Sequence, residues 1–285
     1  MARTTTGRMF TVPSTAGVPE PETLALPGRG QTAVTDIGPR NAPVLVLLHA
    51  VACTGLLTWY PSLRRLTERY RVVVFDQRWH GRGIRSPKFS LADCADDVIA
   101  VADVLGLNRF TIAGYSMGGM VGQLVAHAHP DRVRGLVLCS TASNFRRGVR
   151  QRIALDVFGQ GVRRLREQAR TGMERVPGRT RLVNMNDRRW ALAEFRATSP
   201  WAVGAAIDEI GRFDSTRWLF QLRLPTSVIV TAKDGFIAPG HQRSLGHRIP
   251  GAATYEIPAG HAACVLRAEV FVPALLAACA SVHAR

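Results

Sequence analysis

Three residues of this chain could together activate a nucleophile: Ser116, Asp234 and His261. Ser116 stands in Gly114-Tyr115-Ser116-Met117-Gly118, with Gly119 directly after it. Asp234 lies in "TAKDGFIAP" and His261 in "IPAGHAAC". A serine hydroxyl is a poor nucleophile until a base takes its proton, and a histidine base needs a carboxylate to hold its tautomer. Such a set attacks an acyl carbonyl, passes the proton through the imidazole to the leaving group, and lets water release the acyl group. Each residue also has an ordinary structural use. Ser116 can cap a helix after a glycine-rich turn, Asp234 can shape a turn, and His261 can cap a loop. Asp208, Glu209 and Asp214 are rival carboxylates, although none follows the end of an apolar run.

The elements that must position these groups are written in the hydrophobic pattern. "APVLVLLH" (42–49), "YRVVVFD" (70–76), "RFTIAG" (109–114), "VRGLVLC" (133–139) and "TSVIVTA" (226–232) are short, continuous and β-branched. Strands buried on both faces have this composition. Between the second and third, Leu91, Ala95, Val98, Ala102 and Leu105 recur at helical spacing, and Ser90 can cap the start. The alternation predicts an α/β fold, a mostly parallel central sheet flanked by helices. "TLALPG" and "QTAVTDIG" form an antiparallel hairpin at its edge on this reading. The strand pattern stops after Cys139 and resumes at "LPTSVIV", leaving arginine-rich helical segments between, with Ser199 and Pro200 starting one of them. The expected organisation is a disordered lead-in at 1–22, a first core part at 23–140, an inserted helical cap at 141–216 and a second core part at 217–285.

In this architecture Ser116 falls where a buried strand passes to a helix, the setting that makes G-x-S-x-G informative as a nucleophile elbow. Glycines two residues either side of the serine remove side chains that would collide as strand and helix fold together. Asp234 and His261 each follow a later strand, in the order Ser, Asp, His. With these motifs the chain resembles the α/β-hydrolase superfamily, in particular its capped esterase and lactonase-like members, over about 24 to 283. "LLHAVACTGLLTW" resembles the family's His-Gly loop, with His49 as its histidine, and "FDQRWHGRG" resembles its D-x-R-G-H-G-x-S turn through Asp76, Arg78, His80 and Gly81. The resemblance implies an oxyanion hole from the backbone N–H groups of Val51 and Met117. Ala50 stands where the family usually has glycine. Trp79 replaces another glycine, and either walls the site or packs outside it.

The resemblance also implies a serine hydrolase acting on a small-molecule acyl substrate, a carboxylic ester or lactone, without a cofactor. Serine as nucleophile separates it from the branches that use aspartate. An acyltransferase with the same triad, or a ligand-binding protein with a slow one, shares all these residues, since fold alone does not fix function. Oligomeric state is not legible.

Composition narrows the remaining classes. The chain has 285 residues, 46% of them apolar, enough for one large α/β domain with an insertion. No apolar run reaches the roughly 20 residues of a membrane span. "AACVLRAEVFVPALLAACA" comes closest, but Arg267 and Glu269 interrupt it, and it reads as an amphipathic helix. The N-terminus has no apolar stretch of the secretory kind, and the five cysteines are unpaired by spacing, which suits a reduced, cytoplasmic protein. A net charge of +16 invites a nucleic-acid partner, but the basic residues are scattered and almost all arginine, with lysine only at Lys88 and Lys233. No nucleic-acid-binding signature accompanies them. His127 and His129, two apart on a helix, diverge and make a poor metal pair. No metal or phosphate-loop motif is present.

Overall fold

The computed structural model describes residues 13–145 and 187–285. Eight strands form one sheet: β1 (Glu22–Leu26), β2 (Gly30–Ile37), β3 (Val44–Leu48), β4 (Arg71–Phe75), β5 (Phe110–Tyr115), β6 (Val133–Cys139), β7 (Thr226–Thr231) and β8 (Ala253–Ile257). Their spatial order is β1-β2-β4-β3-β5-β6-β7-β8. β1 and β2 are the expected antiparallel hairpin, β2 also runs antiparallel to β4, and every other pairing is parallel. Described helices are α1 (Gly55–Leu66), α2 (Leu91–Val104), α3 (Met117–Ala128), α4 (Asp187–Arg196), α5 (Pro200–Arg212), α6 (Pro239–Arg248), α7 (Ala263–Leu266) and α8 (Ala268–His283).

The continuous apolar strands are explained by what lies on either side of them. Along β3, Val46 and Leu48 face a layer containing α2 and α3, while Leu45 and Leu47 face α1 and α8. The same alternation holds in β4, where Val73 and Phe75 face one layer and Val72 and Val74 the other. Each fully buried aliphatic side chain contributes on the order of 1.5–3 kcal/mol of burial, so both helical layers are needed. The caps follow the sequence. Ser90 accepts from the Asp93 N–H at 2.9 Å to start α2, and Ser199 accepts from the Ala202 N–H at 3.2 Å with Pro200 opening α5.

The expected single C-terminal helix is two. The chain turns at Arg267 (φ −137°, ψ 42°), ending the short α7 and starting α8 with Glu269 in its first turn, where a carboxylate suits the helix dipole. Residues 13–21, within the expected lead-in, make contacts. The Thr15 N–H and hydroxyl donate to Asp187 at 2.9 and 2.6 Å, and Tyr60 donates to the Pro13 carbonyl at 3.3 Å. Most of the expected insertion, 146–186, lies outside the described residues, as do residues 1–12. Its described remainder holds α4 and α5, and an isolated bridge joins Asn144 to Asp214.

The sheet reverses its winding at β3, with β4 on one side and β5 on the other. In open α/β sheets a crevice forms beyond the carboxyl ends of the strands at such a switch point. β5 ends there.

Candidate active site

Ser116 occupies the single residue between β5 and α3, at φ 52° and ψ −114°. A non-glycine residue in that region costs on the order of 1–3 kcal/mol and persists only where its surroundings over-determine it. Here they do. A Cβ on Gly114 would stand 2.3 Å from the Gly118 carbonyl oxygen, and one on Gly118 would stand 2.3 Å from that of Leu48 and 2.8 Å from that of His49. Strand, turn and helix therefore approach to backbone contact. The Ser116 N–H is tied to the Cys139 carbonyl at 2.9 Å, and the Ser116 carbonyl accepts from the Gly119 N–H at 3.0 Å.

Asp234 follows β7 in a turn that its own carboxylate organises. Oδ1 accepts from the N–H groups of Phe236 and Ile237 at 2.8 and 2.9 Å. Oδ2 accepts from the Thr231 hydroxyl at 2.8 Å, from the Gln242 amide at 3.0 Å and from His261 Nδ1 at 2.7 Å. Burial alone would raise the Asp234 pKa. The hydrogen bond and charge of His261, with the Ile237 N–H and Thr231 hydroxyl, outweigh it and hold the carboxyl below its ordinary value. An ionised carboxylate only accepts, so Nδ1 of His261 carries the proton and Nε2 presents its lone pair. Nε2 lies 2.9 Å from Ser116 Oγ. Three residues from the ends of β5, β7 and β8 thus form one hydrogen-bonded line. Such a line can move a proton from the hydroxyl to the ring while the ring stays oriented.

Among the described residues, neither the Val51 nor the Met117 N–H has a hydrogen-bond partner. Met117 opens α3, so its N–H is one of the four that a helix start leaves unpaired. The loop bearing Val51 is held at His49, whose Nδ1–H donates to the Ala50 carbonyl at 2.8 Å while Nε2 accepts from the Gln77 N–H at 2.8 Å. Ala50 fits a position where glycine is usual because the left-handed residue of this loop is Ala52, at φ 65°. Trp79 does take up a glycine-like backbone, also at φ 65°, and its ring is buried against Phe89 with the indole N–H donating to the Ser86 carbonyl at 3.0 Å. It packs in the core.

A model of the alpha/beta hydrolase fold matches residues 43–268 of this chain. The chain belongs to the α/β-hydrolase fold family. Among curated relatives, a Caulobacter sp. (strain K31) protein named "Putative carbamate hydrolase RutD" is 28% identical over 250 residues, 84% of this chain and 91% of the relative. The first relatives matched, of the same name in Caulobacter vibrioides, are 38% identical over 103 residues, so the chain spans 38% of their length. Among solved structures, a hydrolase from Pseudomonas aeruginosa PA01 superposes with a TM-score of 0.74 at 26% identity, covering 92% of this chain and 98% of that one. A thermophilic esterase from Thermogutta terrifontis gives 0.71 at 25% identity, covering 93% and 100%.

Two of the rival carboxylates lie elsewhere: Asp208 faces Arg212 at 3.3 Å, and Asp214 accepts from the Thr216 N–H at 3.0 Å. His127 stacks on Trp218 with ring centroids 4.3 Å apart, and His283 Nδ1–H donates to the Cys279 carbonyl at 2.9 Å. No cluster of three metal-ligating side chains occurs among the described residues. Several site residues escaped the sequence reading. The Tyr115 hydroxyl donates to the His261 carbonyl at 2.7 Å, fixing the loop that carries the imidazole. Gln242 is fully buried and spans Asp234, the Ile237 carbonyl at 2.8 Å and the Thr231 N–H at 2.9 Å. Tyr115 sat inside the motif, but its partner lies 146 residues on, and no spacing announces Gln242.

Glu194 is the other missed residue. It is buried on α4, accepts from the Thr54 hydroxyl that caps α1, and pairs with Arg82 at 3.3 Å. Arg82 in turn gives its backbone N–H to Asp76 at 2.8 Å, and the other Asp76 oxygen takes the Gly55 N–H at 2.8 Å. Burial raises the Glu194 pKa, partly offset by Arg82 and Thr54. Thr198 adds a second tie, accepting from the Gly81 N–H at 3.0 Å. These contacts fasten the α4 segment to the start of α1, just beyond the Val51 loop.

Proposed function

We propose that this protein is a serine hydrolase that cleaves a carboxylic ester or lactone through an acyl-enzyme on Ser116. His261 serves as general base and then general acid, and Asp234 holds the imidazole tautomer and stabilises the imidazolium that forms. The N–H groups of Met117 and Val51 receive the charge that develops on the carbonyl oxygen. The observation that carries this reading is the line from Ser116 Oγ to His261 Nε2 at 2.9 Å and from Nδ1 to Asp234 at 2.7 Å. The insertion at 141–216 acts as a cap over the crevice, and α4 and α5 are its last two helices. No cofactor takes part in this mechanism. Five free cysteines suit a reducing, cytoplasmic setting. The esterase and carbamate-hydrolase names among the relatives both describe attack on an acyl carbonyl, so both belong in a test of substrate class.

The test has two arms. A fluorophosphonate probe, which requires an activated hydroxyl, labels the wild type and fails on Ser116→Ala. A panel of esters, lactones and carbamates differing in acyl length and charge is then turned over by the wild type. Undiminished ester turnover by Ser116→Ala would sink the mechanism, and turnover of carbamates alone would replace the substrate class while keeping the triad.

A further inference from the structure

A second cavity lies at the other end of the sheet. It measures about 370 Å³ and is lined by Arg109, Arg134, Arg223 and His127, with buried Val133 and Leu222 among its apolar wall. Arg109 directly precedes β5 and Arg134 belongs to β6. Arg223 lies in the segment leading to β7. Ser116 follows the far end of β5, so one strand length, about 17–20 Å, separates the two sites.

Three arginines from three separate stretches of chain line the cavity, each bringing a guanidinium to its rim. Several other guanidiniums of the chain meet carboxylates, Arg78 on Asp97, Arg71 on Asp36, Arg132 on Asp103 and Arg243 on Glu256. Among the described residues the side chains of Arg109 and Arg134 have no ion-pair or hydrogen-bond partner, and that of Arg223 reaches only the Phe220 carbonyl at 3.2 Å. No residue lining the cavity carries negative charge. The carbonyl end of α3 is close by, but it supplies about half a charge at most against three full ones. Like charges around a concave, partly apolar wall concentrate a positive potential that a small anion relieves. Arginine's fork of N–H donors matches phosphate oxygens in pairs.

We propose that this cavity is a binding site for a small soluble phosphate-bearing anion of charge −2 or more. The volume falls within the range of small-molecule sites, and the apolar wall accommodates a non-polar part beside the phosphate.

Titration calorimetry with pyrophosphate and with inorganic phosphate tests this, ionic strength being held constant with sodium chloride. The expected result is saturable binding of pyrophosphate that Arg109→Ala and Arg134→Ala each weaken by about tenfold or more, as loss of a charged hydrogen bond requires. Arg134→Lys, which keeps the charge, should retain part of the affinity. Fluorophosphonate labelling of Ser116 should be unchanged in every variant, and the binding result stands whether or not that labelling occurs. Pyrophosphate binding that persists in the Arg109→Ala/Arg134→Ala double variant would overturn the assignment. So would binding to phosphatidylglycerol vesicles or duplex DNA that these variants abolish while pyrophosphate gives no heat, because the surface would then serve a membrane or a nucleic acid.

Discussion

His261 is held at three points: Asp234 grips Nδ1, Tyr115 grips the backbone carbonyl, and Nε2 meets Ser116. Asp234→Asn would reverse the preference at Nδ1 while keeping the shape, and turnover should fall by roughly 10⁴-fold if the serine-protease precedent transfers. Steady-state kinetics on a folded variant checks this, and a small loss would move the orienting role to another carboxylate. Gln242→Ala should lower kcat with little change in KM, because the amide orients Asp234 without meeting substrate. Two other histidines give a pH prediction. Burial holds the His49 pKa at about 4 and, with His49 beside it, that of His80 at about 3. Unfolded histidine titrates near 6.5, so below that pH the unfolded chain binds more protons than the folded one. Stability should be flat with respect to these groups above about pH 6.5, then fall with acid until each folded value is passed. Urea midpoints from pH 7.5 to 4.5 measure it, and His49→Gln should flatten part of the slope. Ser116, Asp234 and His261 were legible because each follows a strand in a loop marked by glycine or proline. Gln242, Tyr115 and Glu194 were not, since their roles rest on hydrogen bonds between distant segments that leave no periodic trace.

At the scale of elements, the strands could be read because burial on both faces forces unbroken apolar runs, and the helix starts because Ser90 and Ser199 cap them. The break at Arg267 could not, because neither glycine nor proline stands there and the residues on both sides keep a helical, amphipathic pattern. Glycines divide in a way the sequence hides. Gly118 touches the Leu48 backbone, which cannot yield, whereas nothing lies within 4 Å of a Cβ on Gly240 in α6. Gly118→Ala should destabilise by about 3 kcal/mol or more through overpacking, and Gly240→Ala should stabilise by about 0.5–1 kcal/mol through helix propensity. Thermal unfolding of the pair checks both signs. Glu194→Ala should loosen α4 from α1, which limited proteolysis would register as faster cleavage near Asp187–Arg196.

For the whole molecule the question is what a net charge of +16 does. Many of its arginines are engaged in ion pairs, so duplex DNA should bind weakly, without sequence preference, and release steeply as salt rises. A sequence-selective complex that survives 0.15 M salt, roughly physiological, would refute this. The sheet order has a further consequence, for synthesis. Tyr115 and Trp59 are buried under Phe271 of α8, and the line through Ser116 closes only when β7 and β8 are in place. At typical ribosomal rates the chain between the elbow and α8 takes on the order of ten to thirty seconds to emerge. For that interval the growing chain carries an uncovered aromatic face on strands that have not found their last partners. A nascent chain arrested before α8 should therefore bind a holdase chaperone, and one released past it should not. Reactivity toward a fluorophosphonate would then appear only after release, as a clock for the closing of the fold.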